Sequence, residues 1–146
     1  MTSFIDFWST GYGDLVNVAF ASSTGFLAEI SFTPDAGYGV RLNSFDLAGW
    51  PLADYADQPL VIYDANYNVL VNYSPLDVAG ANGTHTFVAP NLTHFGTIHI
   101  QFSNTWNVGI DNVNFDQLSA VPEPSTIASA AFAAVAGLVV LRRRRA

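Results

Sequence analysis

Trp50 and Trp106 are the residues of this chain best suited by type and setting to bind a ligand. They stand in "AGWPLADYADQ" and "SNTWNVG", turn-rich stretches of the kind where binding side chains gather. A flat indole accepts the apolar face of a pyranose ring, and a neighbouring Asp or Asn can read its hydroxyls. Core packing is the competing role for both. A second pattern is "DANYN", in which Asp64, Asn66 and Asn68 place oxygen-bearing side chains at alternate positions, as a calcium loop begins. An EF-hand would then need Gly at position 69 and Glu at position 75, and the chain has Val69 and Pro75. The same residues serve an Asx-stabilised hairpin turn, so the choice stands between that turn and a Ca2+ site of another type. Asp111, beside Asn112, is a further metal candidate whose alternative role is to shape a sheet end.

Other chemistries find less support. His94 and His99 are five apart, which puts them on opposite faces if one strand carries both and argues against zinc. With His85 they read as exposed sheet and loop histidines. There is no G-x-S-x-G elbow and no phosphate-cradling glycine loop. A glycosidase needs two carboxylates flanking one bond. Glu29 is the only glutamate in residues 1–120, and nothing singles out a pair among the ten aspartates there. The absence of cysteine excludes disulfides, thiolate metal sites and cysteine nucleophiles. The domain is therefore expected to have no catalysis of its own. A carbohydrate-binding module is the alternative, and a sugar-active hydrolase comes third. Asn82 and Asn91 open glycosylation sequons, read as chance in turn-rich sequence.

Strands must position these residues. In "GFLAEISFTP", Phe26, Ala28, Ile30 and Phe32 alternate with Leu27, Glu29, Ser31 and Thr33, a period of two. Similar runs lie at 14–20, 38–45, 59–64, 68–73, 84–90, 97–102 and 108–115. Gly, Pro, Asn and Asp clusters separate them, so the spacing predicts an antiparallel sandwich over residues 1–118. A hairpin is expected with strands 60–63 and 68–73 around a loop at 64–67. Val108 and Ile110 share one face while Val113 and Phe115 share the other, which predicts a bulge near Asp111 and Asn112.

The charge is unevenly placed. The 146-residue chain carries a formal charge of −7, but residues 1–120 hold eleven carboxylates against Arg41 alone, which leaves −10. Such a body repels phosphates, so no nucleic acid is expected as a partner. The remaining basic residues are Arg142, Arg143, Arg144 and Arg145, at the end of "VPEPSTIASAAFAAVAGLVVLRRRRA". Two prolines make 119–124 a short extended linker. Residues 125–141 are uncharged, and as a helix would span about 25 Å, close to the ~30 Å of a hydrocarbon core. Arginine side chains snorkel to the headgroups and stay on the cytoplasmic side. Residues 125–141 thus read as a transmembrane helix, 142–146 as its cytoplasmic end, and the acidic domain as exported.

Pro122, Glu123 and Pro124, a short hydrophobic helix and a terminal arginine cluster together resemble the PEP-CTERM sorting signal of exopolysaccharide-producing Gram-negative bacteria. The body, with "WNVGIDNVNF" at 106–115, is also similar to the sandwich domains that precede such tails. The resemblance implies an all-β, jelly-roll-like antiparallel β-sandwich followed by a single C-terminal hydrophobic helix. It implies an exosortase as partner, a membrane protease that cuts near the Pro-Glu-Pro motif. The implied location is the inner membrane with the domain in the periplasm, then the cell surface or extracellular matrix, with exopolysaccharide as a candidate ligand. Members of the family begin with a secretory signal peptide. "MTSFIDFWSTGYGDLVN" has neither a basic n-region nor an apolar h-region, so the true start is expected upstream of Met1.

Overall fold

The computed structural model describes residues 5–23, 25, 27–103 and 106–119, and no helix occurs among them. The strands are β1 (Ile5–Trp8), β2 (Val18–Ala21), β3 (Ala28–Phe32), β4 (Tyr38–Gly49), β5 (Tyr55–Gln58), β6 (Leu60–Asp64), β7 (Val69–Asn72), β8 (Leu76–Val78), β9 (Thr86–Val88), β10 (Leu92–His94), β11 (Ile98–Phe102) and β12 (Val108–Ser119). The expected hydrophobic helix at 125–141, the Pro-Glu-Pro motif and the terminal arginines lie outside the described residues.

All pairings are antiparallel. One sheet has the order β1-β2-β12-β4-β10, with β9 also pairing β4; the other has the order β3-β11-β6-β7. β5 and β8 form a separate pair. Strict alternation explains why β11 sits at the centre of the smaller sheet. Ile98, Ile100 and Phe102 are fully buried while His99 and Gln101 face outward. These side chains meet Phe45, Leu47, Val108 and Ile110 of the larger sheet in one hydrophobic cluster, so the two sheets form a sandwich. The hairpin of β6 and β7 turns where the sequence placed it, whereas the run at 14–20 is strand only from Val18, with Tyr12 and Leu15 in a turn before it.

β4 and β12 are the two longest strands, and each changes face midway. Asp111 pairs with Asp46, Asn114 with Ser44, and Phe115 with Leu42. One extra residue therefore enters β12 between Asp111 and Asn114, and one enters β4 between Ser44 and Leu42. The buried positions of β4 shift from Val40 and Leu42 to Phe45 and Leu47. The expected bulge is present, with Asn112 at φ 51°. Its counterpart on β4 is not visible in a strand read alone.

A smaller cluster covers the outer face of the larger sheet, where Tyr12 and Leu15 of the loop before β2 pack on Val18 and Ala48, with Phe20 and Trp50 beside them. That loop builds the site.

Candidate functional site

Trp50 follows β4 and Trp106 precedes β12, so their turns are neighbours at one end of the larger sheet. Trp50 N–H donates to Asn107 O at 2.7 Å, and the two indole centroids lie 5.0 Å apart at 55°. Trp8, Tyr12 and Phe20 complete an aromatic cleft of about 250 Å³. The loop from β1 to β2 is pinned over the sheet by two bonds. Tyr12 Oη–H donates to Trp106 O, and Leu52 N–H donates to Gly11 O at 2.9 Å. Gly11 has φ 87°, and a Cβ there would stand 2.9 Å from Trp50 Nε1; this position needs glycine for both reasons. Gly109 lets Tyr12 and Val18 close down on β12, since a Cβ there would meet both. Burial, with the Tyr55 phenol as a lesser cause, pushes the Tyr12 pKa well above its usual value, so Tyr12 stays a neutral donor.

The cleft walls are almost wholly apolar. Trp8 is 54% exposed and Trp106 is 40% exposed, while Trp50 is half-buried and braced by the Tyr55 Oη–H bond to its carbonyl at 2.5 Å. The volume is below the ~300–1,000 Å³ of drug-sized pockets, which suits one ring rather than an engulfed chain. Sequence reasoning singled out Trp50 and Trp106 by their turns. It did not bring Trp8, Tyr12 and Phe20 to the same place, since they arrive from strands and loops remote in sequence; the glycines flanking Tyr12 in "GYG" were the available signal.

The metal candidates are placed apart. Asp64 ends β6 in the smaller sheet, and Asp111 lies in β12 of the larger. Asp64 accepts from Asn66 N–H at 2.8 Å and from both Asn68 N–H and Asn68 Nδ2–H at 2.8 Å. These bonds, led by those from Asn68, hold its carboxyl below the usual value. The carboxylate is engaged by its own turn, the Asx role weighed for "DANYN". Asp111 Oδ1 accepts from Asn112 N–H at 2.7 Å, and Asn112 Nδ2–H donates to Asp46 Oδ2 at 2.8 Å; both residues serve the bulge. Among the described residues no three His, Asp or Glu side chains converge as a metal-holding group.

The histidines lie on different elements. His94 is in β10 and His99 in β11, in separate sheets. His99 is not the exposed residue expected: its ring stacks under Tyr67 at 4.7 Å and 5°, and its Nδ1 lies 2.8 Å from Ser31 Oγ. Tyr67 Oη–H and Gln101 Nε2–H both donate to Glu29, which draws the β6–β7 turn down onto the sheet. Ser31 and Glu29 approach the same ring nitrogen, whereas a nucleophile relay needs one partner on each nitrogen. His85 stands between two acids. Its Nδ1 is 2.8 Å from Asp14 Oδ1, and its Nε2 is 3.6 Å from Asp46 Oδ1, a buried oxygen that accepts no hydrogen bond. This contact clasps the loop before β2 to β4.

Residues 120–145 match the family model of the PEP-CTERM protein-sorting motif. The chain thus carries a PEP-CTERM sorting motif in its tail, which implies recognition by an exosortase, export, and membrane anchoring for sorting. No curated protein and no solved structure matches it.

Proposed function

We propose that this chain is an exosortase cargo without catalysis of its own. An acidic, jelly-roll-like domain is held in the periplasm by a C-terminal transmembrane anchor, then delivered to the cell surface or extracellular matrix. The observation that carries this reading is the match over 120–145, where Pro122, Glu123 and Pro124, the uncharged run 125–141 and the four arginines follow in order. Prolines disfavour helix and sheet pairing, which supports access by a protease to a motif that holds two of them. The uncharged run and the arginines fix depth and orientation. The test is co-expression with a cognate exosortase, with a signal peptide supplied. The unaltered protein should lose its tail, and Pro122→Ala with Glu123→Ala should leave it full-length and membrane-bound. Equal trimming of both would reduce the motif to a linker.

The aromatic cleft favours a second reading, that the domain binds a carbohydrate of the exopolysaccharide. Its indole faces match the apolar face of one sugar ring. In this reading Trp8 and Trp106 meet the ligand from the exposed rim, and Trp50 forms the base. Binding followed by intrinsic tryptophan fluorescence against a glycan panel should be lost in Trp50→Ala and in Trp106→Ala. An unaltered protein that binds no glycan would end this reading and leave the sorting reading intact.

A further inference from the structure

The end of the sandwich from which the chain departs toward its tail carries several exposed rings. β3 finishes at Phe32, β6 at Asp64, β10 at His94 and β12 at Ser119, while β4, β7 and β11 start there. The registers agree. Tyr38 pairs with Ser119, His94 with Val40, and Ile98 with both Phe32 and Asp64. At this end Phe95 is 62% exposed, Phe115 51% and Tyr38 46%. Phe95 lies over Gly39, where a Cβ would come within 2.7 Å of its ring, and Phe115 packs on Phe32 with centroids 4.5 Å apart. The rings are thus held in place by the fold, yet they face solvent.

The sequence beyond Ser119 says what lies opposite. Five residues, 120–124, separate Ser119 from the uncharged run that begins at Ser125. Even fully extended, that link spans only about 20 Å. A domain so tethered stays beside the bilayer at an effective concentration on the order of millimolar. The charge pattern favours the same approach. Of the eleven carboxylates in residues 1–120, this end carries Asp35, Asp64, Asp116 and Glu29, which accepts from Tyr67 of the β6–β7 turn. Asp116 is paired with Arg41 at 3.0 Å, and Asp64 is turned into its own hairpin. The remaining seven lie nearer the middle or the far end, so the domain meets an anionic surface here with less repulsion than through the rest of its body.

We propose that Tyr38, Phe95 and Phe115 form a lipid-facing surface that seats the tail end of the sandwich in the headgroup region of the anchoring membrane. Aromatic rings favour that region because it offers an apolar contact and a polar tip its water together. The seat fixes the domain's orientation, so the Pro-Glu-Pro strip is presented at one depth. The proposal rests on the reading of 125–141 as a membrane anchor.

The test uses the full chain in phosphatidylcholine–phosphatidylglycerol vesicles, with ordinary or brominated acyl chains. The native indoles, Trp8, Trp50 and Trp106, all lie away from this end and serve as an internal background. Phe95→Trp and Phe115→Trp should each add emission that is blue-shifted on vesicles and lost with brominated lipid. Phe87→Trp, exposed but paired beside Asp46, should add emission that brominated lipid leaves intact. Flotation of the unaltered chain checks the anchor separately. A chain that floats but leaves both tail-end indoles unquenched overturns the lipid-facing surface alone. A chain that does not float overturns the anchor reading and this proposal together. Shielding of the new indoles only when exosortase is added would assign the surface to a protein and overturn its assignment to lipid.

Discussion

His85 shows how one side chain can tie a loop to a sheet. A neutral imidazole has one N–H, whereas the imidazolium has two and can serve Asp14 and Asp46 at once. The bond to Asp14 leads, and the Asp46 charge assists, in raising the His85 pKa above 6.5. The same bond lowers the Asp14 pKa below 3.8. The raised histidine contributes stability that is complete below 6.5 and disappears as pH rises through its folded-state value. The lowered aspartate contributes stability that is present above 3.8 and disappears as pH falls through its own. The clasp is therefore strongest between those two values. The urea midpoint of the unaltered protein should exceed that of His85→Gln by most near about pH 5, and the gap should narrow as pH rises through the raised value of His85; a gap independent of pH would show that His85 acts by packing alone. None of this was legible in the sequence, because Asp14, Asp46 and His85 are far apart along it and a buried oxygen has no signature in composition. "DANYN" was legible, because an Asx turn closes within five residues.

At the scale of elements, alternation carried the reading and irregularity limited it. The periods in 26–33 and 97–102 foretold two strands of the smaller sheet because each strand keeps one buried face throughout. β4 and β12 were harder: the parity switch in β12 showed its bulge, but the matching one in β4 emerges only from the register between them. Asn112 carries this junction, with its backbone at φ 51° and its side chain on Asp46. Asn112→Gly keeps the backbone conformation and removes only the hydrogen bond, so it should cost on the order of 1 kcal/mol. Asn112→Ala adds the left-handed penalty and should cost about 1 kcal/mol more. Urea denaturation of the two variants checks the ordering; equal losses would mean that the bulge carries no backbone strain.

For the molecule as a whole, tail and cleft lie at opposite ends of one strand. β12 begins beside Trp106 and finishes at Ser119, and at about 3.3 Å per residue its twelve residues separate the cleft from the tail by roughly 36 Å. Sorting and binding should therefore be separable. The protein carrying Pro122→Ala and Glu123→Ala should keep any ligand of the cleft, and Trp50→Ala should still be trimmed by exosortase. The sorting motif was legible because its Pro-Glu-Pro triplet, apolar run and charge cluster are contiguous. The cleft was only half legible, because its walls meet through the fold.

The strand that leads to the tail is also the middle strand of the larger sheet, flanked by β2 and β4. Its register with β4 runs from Val108 to Ser119. A pull on the C-terminus, from a membrane or from whatever surface receives the cut chain, acts along that register. The ladder bonds then share the load in shear and do not open one after another from an end. A load held between the tail and the far cleft would run along this register, so the domain should resist it better than a load that peels β12 from one end.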